Sequence, residues 1–351
     1  MRLLALLALL AAPLPAQDVP DTRERVERTL KDRGFAGVFA VSEGASRVAG
    51  GAMGEAAPGR PFTYEMVFPW ASVTKQAVAV MVMQDVEDGR IALDAPASRY
   101  MRELAEGPRS PTVRELLQHR SGLRNPEDAP RDASGWPSFY TGGPTGIEWC
   151  LGARGSPGGN WRYNNCDYLI LGGIMERVNR RPFADLFAER IAGPIGGEVR
   201  FVGAPVGLDA DTVWAGGPDV AALERLARFG SAGGLIGTAE DMLAFDRALL
   251  SGALLTDRAR AELWRGDPKL GYQALGQWSF DAPLKGCAGP VRIVERRGAI
   301  GDFQVRNFIA PDQGVSAVLL TNRAEGKYDF GEIWQGRGVS HDFLASVLCP
   351  A

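Results

Sequence analysis

From Ala77 to Met83 every position is apolar. Such a run has no polar face, so it predicts a helix over about Val73–Asp88 that is buried all round. Asp88-Gly89 supplies its stop. Ser72 stands where an N-cap serine would stand, and Lys75 follows one turn later on the same face. The preceding Phe68-Pro69-Trp70-Ala71 reads as extended. Elsewhere the pattern changes with position. Thr22 to Arg33 is helical in period and rich in charge, which predicts a surface helix. Gly37–Ser42 and Ser46–Gly50 read as two strands around a Glu43-Gly44 turn. From about 95 to 229 the chain reads as helix and loop. Thr112-Val-Arg-Glu115 is a capping box, residues 124–146 a long surface loop, and Asp167–Arg177 and Pro182–Ile191 helices. Strand character returns at Gly271–Phe280, Val291–Arg297, Asp302–Ile309 and Val315–Thr321, and His341–Leu348 closes the chain as a helix. Strands at both ends with helices between them predict one sheet built from both termini, with an inserted helical domain.

Residues 1–16 break the pattern. Arg2 precedes an unbroken apolar run from Leu3 to Ala12, then Pro13-Leu-Pro-Ala16. This predicts a signal peptide cut after Ala16, and the run is too short to span a bilayer. No later stretch is long and apolar enough to do so. An exported protein, periplasmic or secreted, is therefore expected. The net charge of −3 comes with no basic block, which argues against nucleic acid and anionic membranes as partners. A monomer is the default expectation.

Export changes the reading of Cys150, Cys166, Cys287 and Cys349, which form an even set in an oxidising compartment. They lack metal-ligand spacing, and His119 and His341 are the only histidines, so no metal site is expected. Four cysteines allow three pairings. The stretch Gly152–Asn160 has too little apolar content to order itself, so a Cys150–Cys166 bridge is expected. Cys287–Cys349 then follows by elimination. Four free cysteines are the alternative if the chain is not exported.

Three short motifs carry chemistry. A lysine in the first turn of a buried helix is costly unless its charge has a task, and managing the proton of the Ser72 hydroxyl is such a task. With 15 serines and 5 lysines in the chain, roughly 0.2 Ser-x-x-Lys matches arise by chance, so this motif alone is weak. Tyr163-Asn-Asn165 precedes an apolar helix. Tyr163 can serve as a general base if a neighbouring ammonium lowers its pKa, and Asn165 can orient Lys75 and the substrate. Taken alone, the segment reads better as an ordinary turn. Arg296-Arg297-Gly298-Ala299 lies in an expected strand. There Gly298 permits close backbone approach, and the Ala299 amide can join that of Ser72 in an oxyanion hole.

Together the motifs resemble those of the penicillin-recognising serine hydrolases, in the branch of class C β-lactamases, DD-peptidases and esterases. That family carries Ser-x-x-Lys, then Tyr-x-Asn, then Lys-Thr-Gly or His-x-Gly on a strand. Residues 68–76, 116–123, 233–241 and 318–322 resemble family segments as well. The resemblance covers roughly 20–349. It implies an α/β (α+β) sandwich of the β-lactamase/transpeptidase type, with an antiparallel sheet flanked by helices. The sheet domain would take 17–95 and 230–351, and the helical domain 96–229. It implies an acyl-enzyme serine hydrolase acting on an ester, amide or lactam in a small molecule or peptide, with no metal or organic cofactor. Ser72, Lys75 and Tyr163 would be catalytic; Asn165, Arg296, Arg297, Gly298 and Ala299 would bind substrate and oxyanion. His119 falls in a family segment of structural role. The chain departs from the family at Arg297, where a hydroxyl residue is usual, so β-lactam hydrolysis is expected to be inefficient. Arg296 and Arg297 could still pair with an anionic substrate. A non-catalytic relative that binds cell-wall peptide or a protein partner is the other reading.

Overall fold

The computed structural model describes residues 21–202, 215, 220–324 and 328–349. The expected signal peptide lies outside them. Six strands form one antiparallel sheet: β1 (Gly37–Glu43), β2 (Ser46–Met53), β3 (Trp278–Ala282), β4 (Val291–Ile300), β5 (Phe303–Ala310) and β6 (Val315–Thr321). Their order is β2-β1-β6-β5-β4-β3. The β1–β6 pair, in register from Val38 opposite Leu320 to Glu43 opposite Val315, joins the two ends of the chain in one sheet.

Successive residues in a strand point to opposite faces, and here both faces are covered. Val38, Ala40, Val305, Ile309, Val318 and Leu320 pack into the larger core, which also holds Thr74–Glu87 and Ala239–Leu250. Phe39, Val41, Phe308, Ala317 and Leu319 pack on the other face with Val26 and Leu30 of the helix Thr22–Asp32 and Phe343 and Leu344 of Val339–Leu348. The same alternation explains why β1 and β6 read as apolar runs rather than as strict polar–apolar repeats.

Thr74–Glu87 passes through the larger core, with Ala77 to Met83 all at most 2% exposed. Each Val or Met buried there contributes about 1.5–3 kcal/mol. The capping box at Thr112 and Glu115 is present. Cys150 bonds to Cys166 and Cys287 to Cys349, as expected from the sequence. The first bridge ties the end of the helix Gly146–Cys150 to the start of Asn165–Asn179. No helix among the described residues is long and apolar enough to cross a membrane.

Three local expectations are corrected. Ser72 is not an N-cap. It sits within a 3-10 turn, Ala71–Val73, that runs into the helix, and its hydroxyl bonds to side chains instead. The 124–146 segment is not simply surface loop, since it holds the short helical pieces Pro126–Asp128 and Ser138–Thr141 and buries Phe139 and Tyr140. Phe139 packs edge-on to Trp149, and Tyr140 stacks on Phe229 at 3.8 Å. Those aromatic contacts outweigh the local Pro, Gly and Asp content. The strand expected over Gly271–Phe280 begins only at Trp278, because Pro268–Leu270 is a 3-10 turn and Gly271, Tyr272 and Gly276 all take positive φ.

Candidate active site

Ser72 is set at the end of a strained approach. Ala71 has φ 45°, a left-handed conformation that costs an L-residue about 1–2 kcal/mol. The strand β4 passes against this turn. A Cβ placed on Gly298 would stand 2.3 Å from the Trp70 carbonyl oxygen and 3.3 Å from the Ser72 nitrogen. Glycine is therefore required at 298 by the approach of another backbone.

Lys75 is fully buried. Its Nζ lies 2.6 Å from the Ala232 carbonyl oxygen, 2.8 Å from Asn165 Oδ1, 2.7 Å from the Tyr163 hydroxyl and 3.2 Å from Ser72 Oγ. The first two partners can only accept. A neutral amine satisfies both with its two hydrogens and turns its lone pair toward the two hydroxyls. Burial, followed by the nearby Arg296 charge, holds the Lys75 pKa well below its ordinary value. The Ser72 and Tyr163 hydroxyls bond to each other.

Desolvation also corrects the expectation for Tyr163, which is half-buried and faces the cavity. Its pKa is raised, with desolvation outweighing the opposing influence of Arg296, so the phenol stays protonated. The lowered Lys75 pKa and the raised Tyr163 pKa leave the amine, rather than the phenol, able to accept a proton.

Asn165 opens the helix Asn165–Asn179, and Asn164 caps it by accepting from the Cys166 amide at 2.9 Å. While Asn165 Oδ1 holds Lys75, its Nδ2 donates to the Tyr140 hydroxyl at 2.8 Å and lies 3.5 Å from Glu127 Oε1. Arg296 is 1% exposed, donates from Nε to the Ser72 carbonyl at 2.9 Å, and lies 5.5 Å from the Tyr163 ring centre. Arg297 behaves differently. Nε and Nη2 donate to Glu295 at 2.6 and 3.1 Å, and Nη1 and Nη2 donate to Glu332 at 3.0 and 2.7 Å. Both edges of its guanidinium are thus occupied, and its charge is balanced before any anionic substrate arrives.

Ser72, Tyr163, Asn165, Arg296, Arg297, Gly298 and Ala299 all face one cavity of about 440 Å³. The sequence motifs therefore converge in space. Glu127, Trp136, Phe229 and Trp278 also line it, and sequence reasoning missed them. Glu127 and Trp136 fall in the segment read as surface loop, and nothing in their local pattern marks them.

A buried lysine, a serine and a tyrosine in mutual contact at the mouth of a cavity define a serine-hydrolase type of site, and the chain is a serine hydrolase. It belongs to the beta-lactamase family, whose model matches residues 22–338. It is 26% identical over 313 residues to the D-alanyl-D-alanine-carboxypeptidase/endopeptidase AmpH of Escherichia coli K12, across 77% of this chain and 75% of that protein. It is 27% identical over 303 residues to a D-aminopeptidase of Cereibacter sphaeroides, across 83% of this chain but only 57% of that protein. A shorter match, 31% over 153 residues and 39% of each chain, is to esterase EstB of Burkholderia gladioli. In fold it resembles the D-amino acid amidase of Ochrobactrum anthropi SV3, with TM-score 0.73, 20% identity, and coverage of 93% of this chain and 99% of that one.

Proposed function

We propose that this protein is an exported acyl hydrolase that cleaves amides or esters through an acyl-enzyme on Ser72. The observation that carries the reading is the placement of Lys75 Nζ, held by two acceptors with its remaining face on the Ser72 and Tyr163 hydroxyls. Lys75 takes the Ser72 proton as Oγ attacks the substrate carbonyl. The Ser72 and Ala299 amides receive the oxyanion. Tyr163 passes the proton to the leaving amine or alcohol, the acyl–leaving-group bond breaks, and water releases the acyl group by the reverse proton path. The division into a sheet domain (17–95 and 230–351) and a helical domain (96–229), with the cavity between them, belongs to this reading. Two disulfides together with the N-terminal apolar segment support a periplasmic or secreted location.

Two of the charged side chains that line the cavity, Arg297 and Glu127, bear on the substrate class. Arg297 is neutralised by Glu295 and Glu332, which disfavours recognition of a carboxylate there. Among the described residues lining the cavity, Glu127 is the one carboxylate. Its ion-pair neighbour, Arg131, is 4.0 Å away and exposed, a weak pairing. Glu127 suits a substrate with a free ammonium group, as in the amino-acid amides that the names of the D-aminopeptidase and D-amino acid amidase relatives suggest. Cephalosporins are correspondingly poor candidates. Glu127→Gln tests this. A charge-assisted hydrogen bond is worth about 1.5–3 kcal/mol, so the kcat/KM ratio between an amino-acid p-nitrophenyl ester and its des-amino analogue is expected to fall about tenfold or more. An unchanged ratio would remove Glu127 from substrate recognition.

A further inference from the structure

The mechanism leaves two buried titratable groups unused, His119 and Asp167. Both are at most 1% exposed, and their side chains meet with His119 Nδ1 3.3 Å from Asp167 Oδ2. The sequence reading gave His119 a structural role only. Its contacts are more specific than that. The His119 carbonyl accepts from the Arg162 amide at 3.0 Å, and its Nδ1 accepts from the Asn164 amide at 3.2 Å. One residue therefore holds the backbone on both sides of Tyr163. Asn125 completes the grip, donating from Nδ2 to the Tyr163 carbonyl at 2.8 Å and presenting Oδ1 3.5 Å from the Asn165 amide. The imidazole also packs against the phenol itself, with ring centres 4.8 Å apart.

Accepting from an amide requires Nδ1 to be unprotonated. The Asn164 amide aimed at Nδ1 selects the tautomer with its hydrogen on Nε2, and the surroundings keep the ring neutral. Burial and then Arg296 hold the His119 pKa well below its ordinary value, and burial raises that of Asp167 well above its own. Asp167 accepts from the Ser121 hydroxyl through its other oxygen, Oδ1, and the single Nδ1 lone pair is left to the Asn164 amide. His119 takes φ 58° to reach this place, a conformation that only Gly, Asn, Asp and a few other residues adopt with any frequency.

From this geometry we infer that His119 is the positioning residue for Tyr163: it acts as a neutral acceptor that fixes where the phenolic hydroxyl stands between Ser72 and Lys75. The inference rests on the proposed role of Tyr163 in proton transfer. A misplaced proton-transfer group loses on the order of 100-fold in rate, so the effect is large enough to separate from stability.

The test is a cycle of variants, with kcat per active site normalised by stoichiometric fluorophosphonate labelling carried to completion. His119→Leu removes the acceptor and is expected to lower per-site kcat on the order of 100-fold with little change in KM. His119→Asn keeps an acceptor near the Nδ1 position and tolerates φ 58°, and is expected to recover activity to within about fivefold of the parent. In the Tyr163→Phe background, adding His119→Leu is expected to cost less than about threefold, because there is no hydroxyl left to position. A loss that persists undiminished in that background, or an Asn variant as impaired as the Leu variant, would overturn the positioning role. If Tyr163→Phe alone leaves per-site kcat unchanged, it is the proposed role of Tyr163 that fails. If Tyr163→Phe is impaired but His119→Leu is not, the positioning inference fails on its own.

Discussion

Replacing Lys75 with methionine is expected to lower kcat on the order of 1,000-fold while the chain remains folded. General-base catalysis by a positioned group contributes about 10²–10⁴ in rate, and Lys75 is the one amine touching Ser72 Oγ among the described residues. Methionine fills similar space, so the surrounding core of Thr74–Glu87 keeps its packing. Two acceptors, Asn165 Oδ1 and the Ala232 carbonyl, lose their donor, each at about 1–3 kcal/mol. Relief from burying the amine offsets part of that. Single-turnover acylation measures the loss directly, and a Lys75→Met enzyme within tenfold of the parent would remove Lys75 as base. The pH dependence follows from the same group. The base must be neutral, and burial holds its pKa well below the ordinary 10.5. Activity is therefore expected to persist well below pH 10.5 and to fall as pH drops through the depressed value. A kcat/KM profile that climbs only near 10.5 would show an ordinary, exposed-type lysine instead.

Gly298→Ala should produce the next largest effect, through geometry rather than chemistry. The added Cβ would lie 2.3 Å from the Trp70 carbonyl oxygen and 3.3 Å from both Ala71 Cβ and the Ser72 nitrogen. No backbone atom can remain at the first of these distances, so β4 and the Ala71–Val73 turn must separate. That moves the Ser72 amide, the Ser72 hydroxyl and the Ala299 amide together, and a shift approaching 1 Å costs on the order of 100-fold in rate. Overpacking also lowers stability by about 1–3 kcal/mol. Urea unfolding and kcat on a p-nitrophenyl ester would read both. Retention of more than a third of the parent kcat would mean that the close approach is not needed for the chemistry.

The sequence showed those parts of the structure that depend on short-range pattern. The all-apolar run Ala77–Met83 pointed to a buried element, and the mostly apolar Val315–Thr321 was visible for the same reason, while Val291–Arg297 showed only its short Ile293-Val294 apolar step. Cys150–Cys166 was legible because the stretch between its partners has little with which to fold. What escaped depends on long-range contacts. Ser72 looks like a helix cap until Tyr163 and Lys75 compete for its hydroxyl. Tyr163 looks like a candidate phenolate until the desolvation of its hydroxyl is known. Arg297 looks like an anion-binding cation, and nothing in its neighbourhood along the chain reveals that Glu332, 35 residues away, occupies it. Glu127 lies in a segment whose composition reads as solvent-exposed loop, and only the folding of that segment over the cavity makes its carboxylate relevant.

The central claim, that Ser72 forms the acyl-enzyme, is tested most directly by intact-mass analysis after reaction with a fluorophosphonate. The parent protein is expected to gain one phosphonyl adduct per chain, mapped by peptide sequencing to Ser72. Ser72→Ala is expected to fold with the same thermal stability within a few degrees, gain no adduct and hydrolyse no ester above background. One adduct per chain on Ser72→Ala, or an adduct on the parent mapped to another serine, would contradict the account.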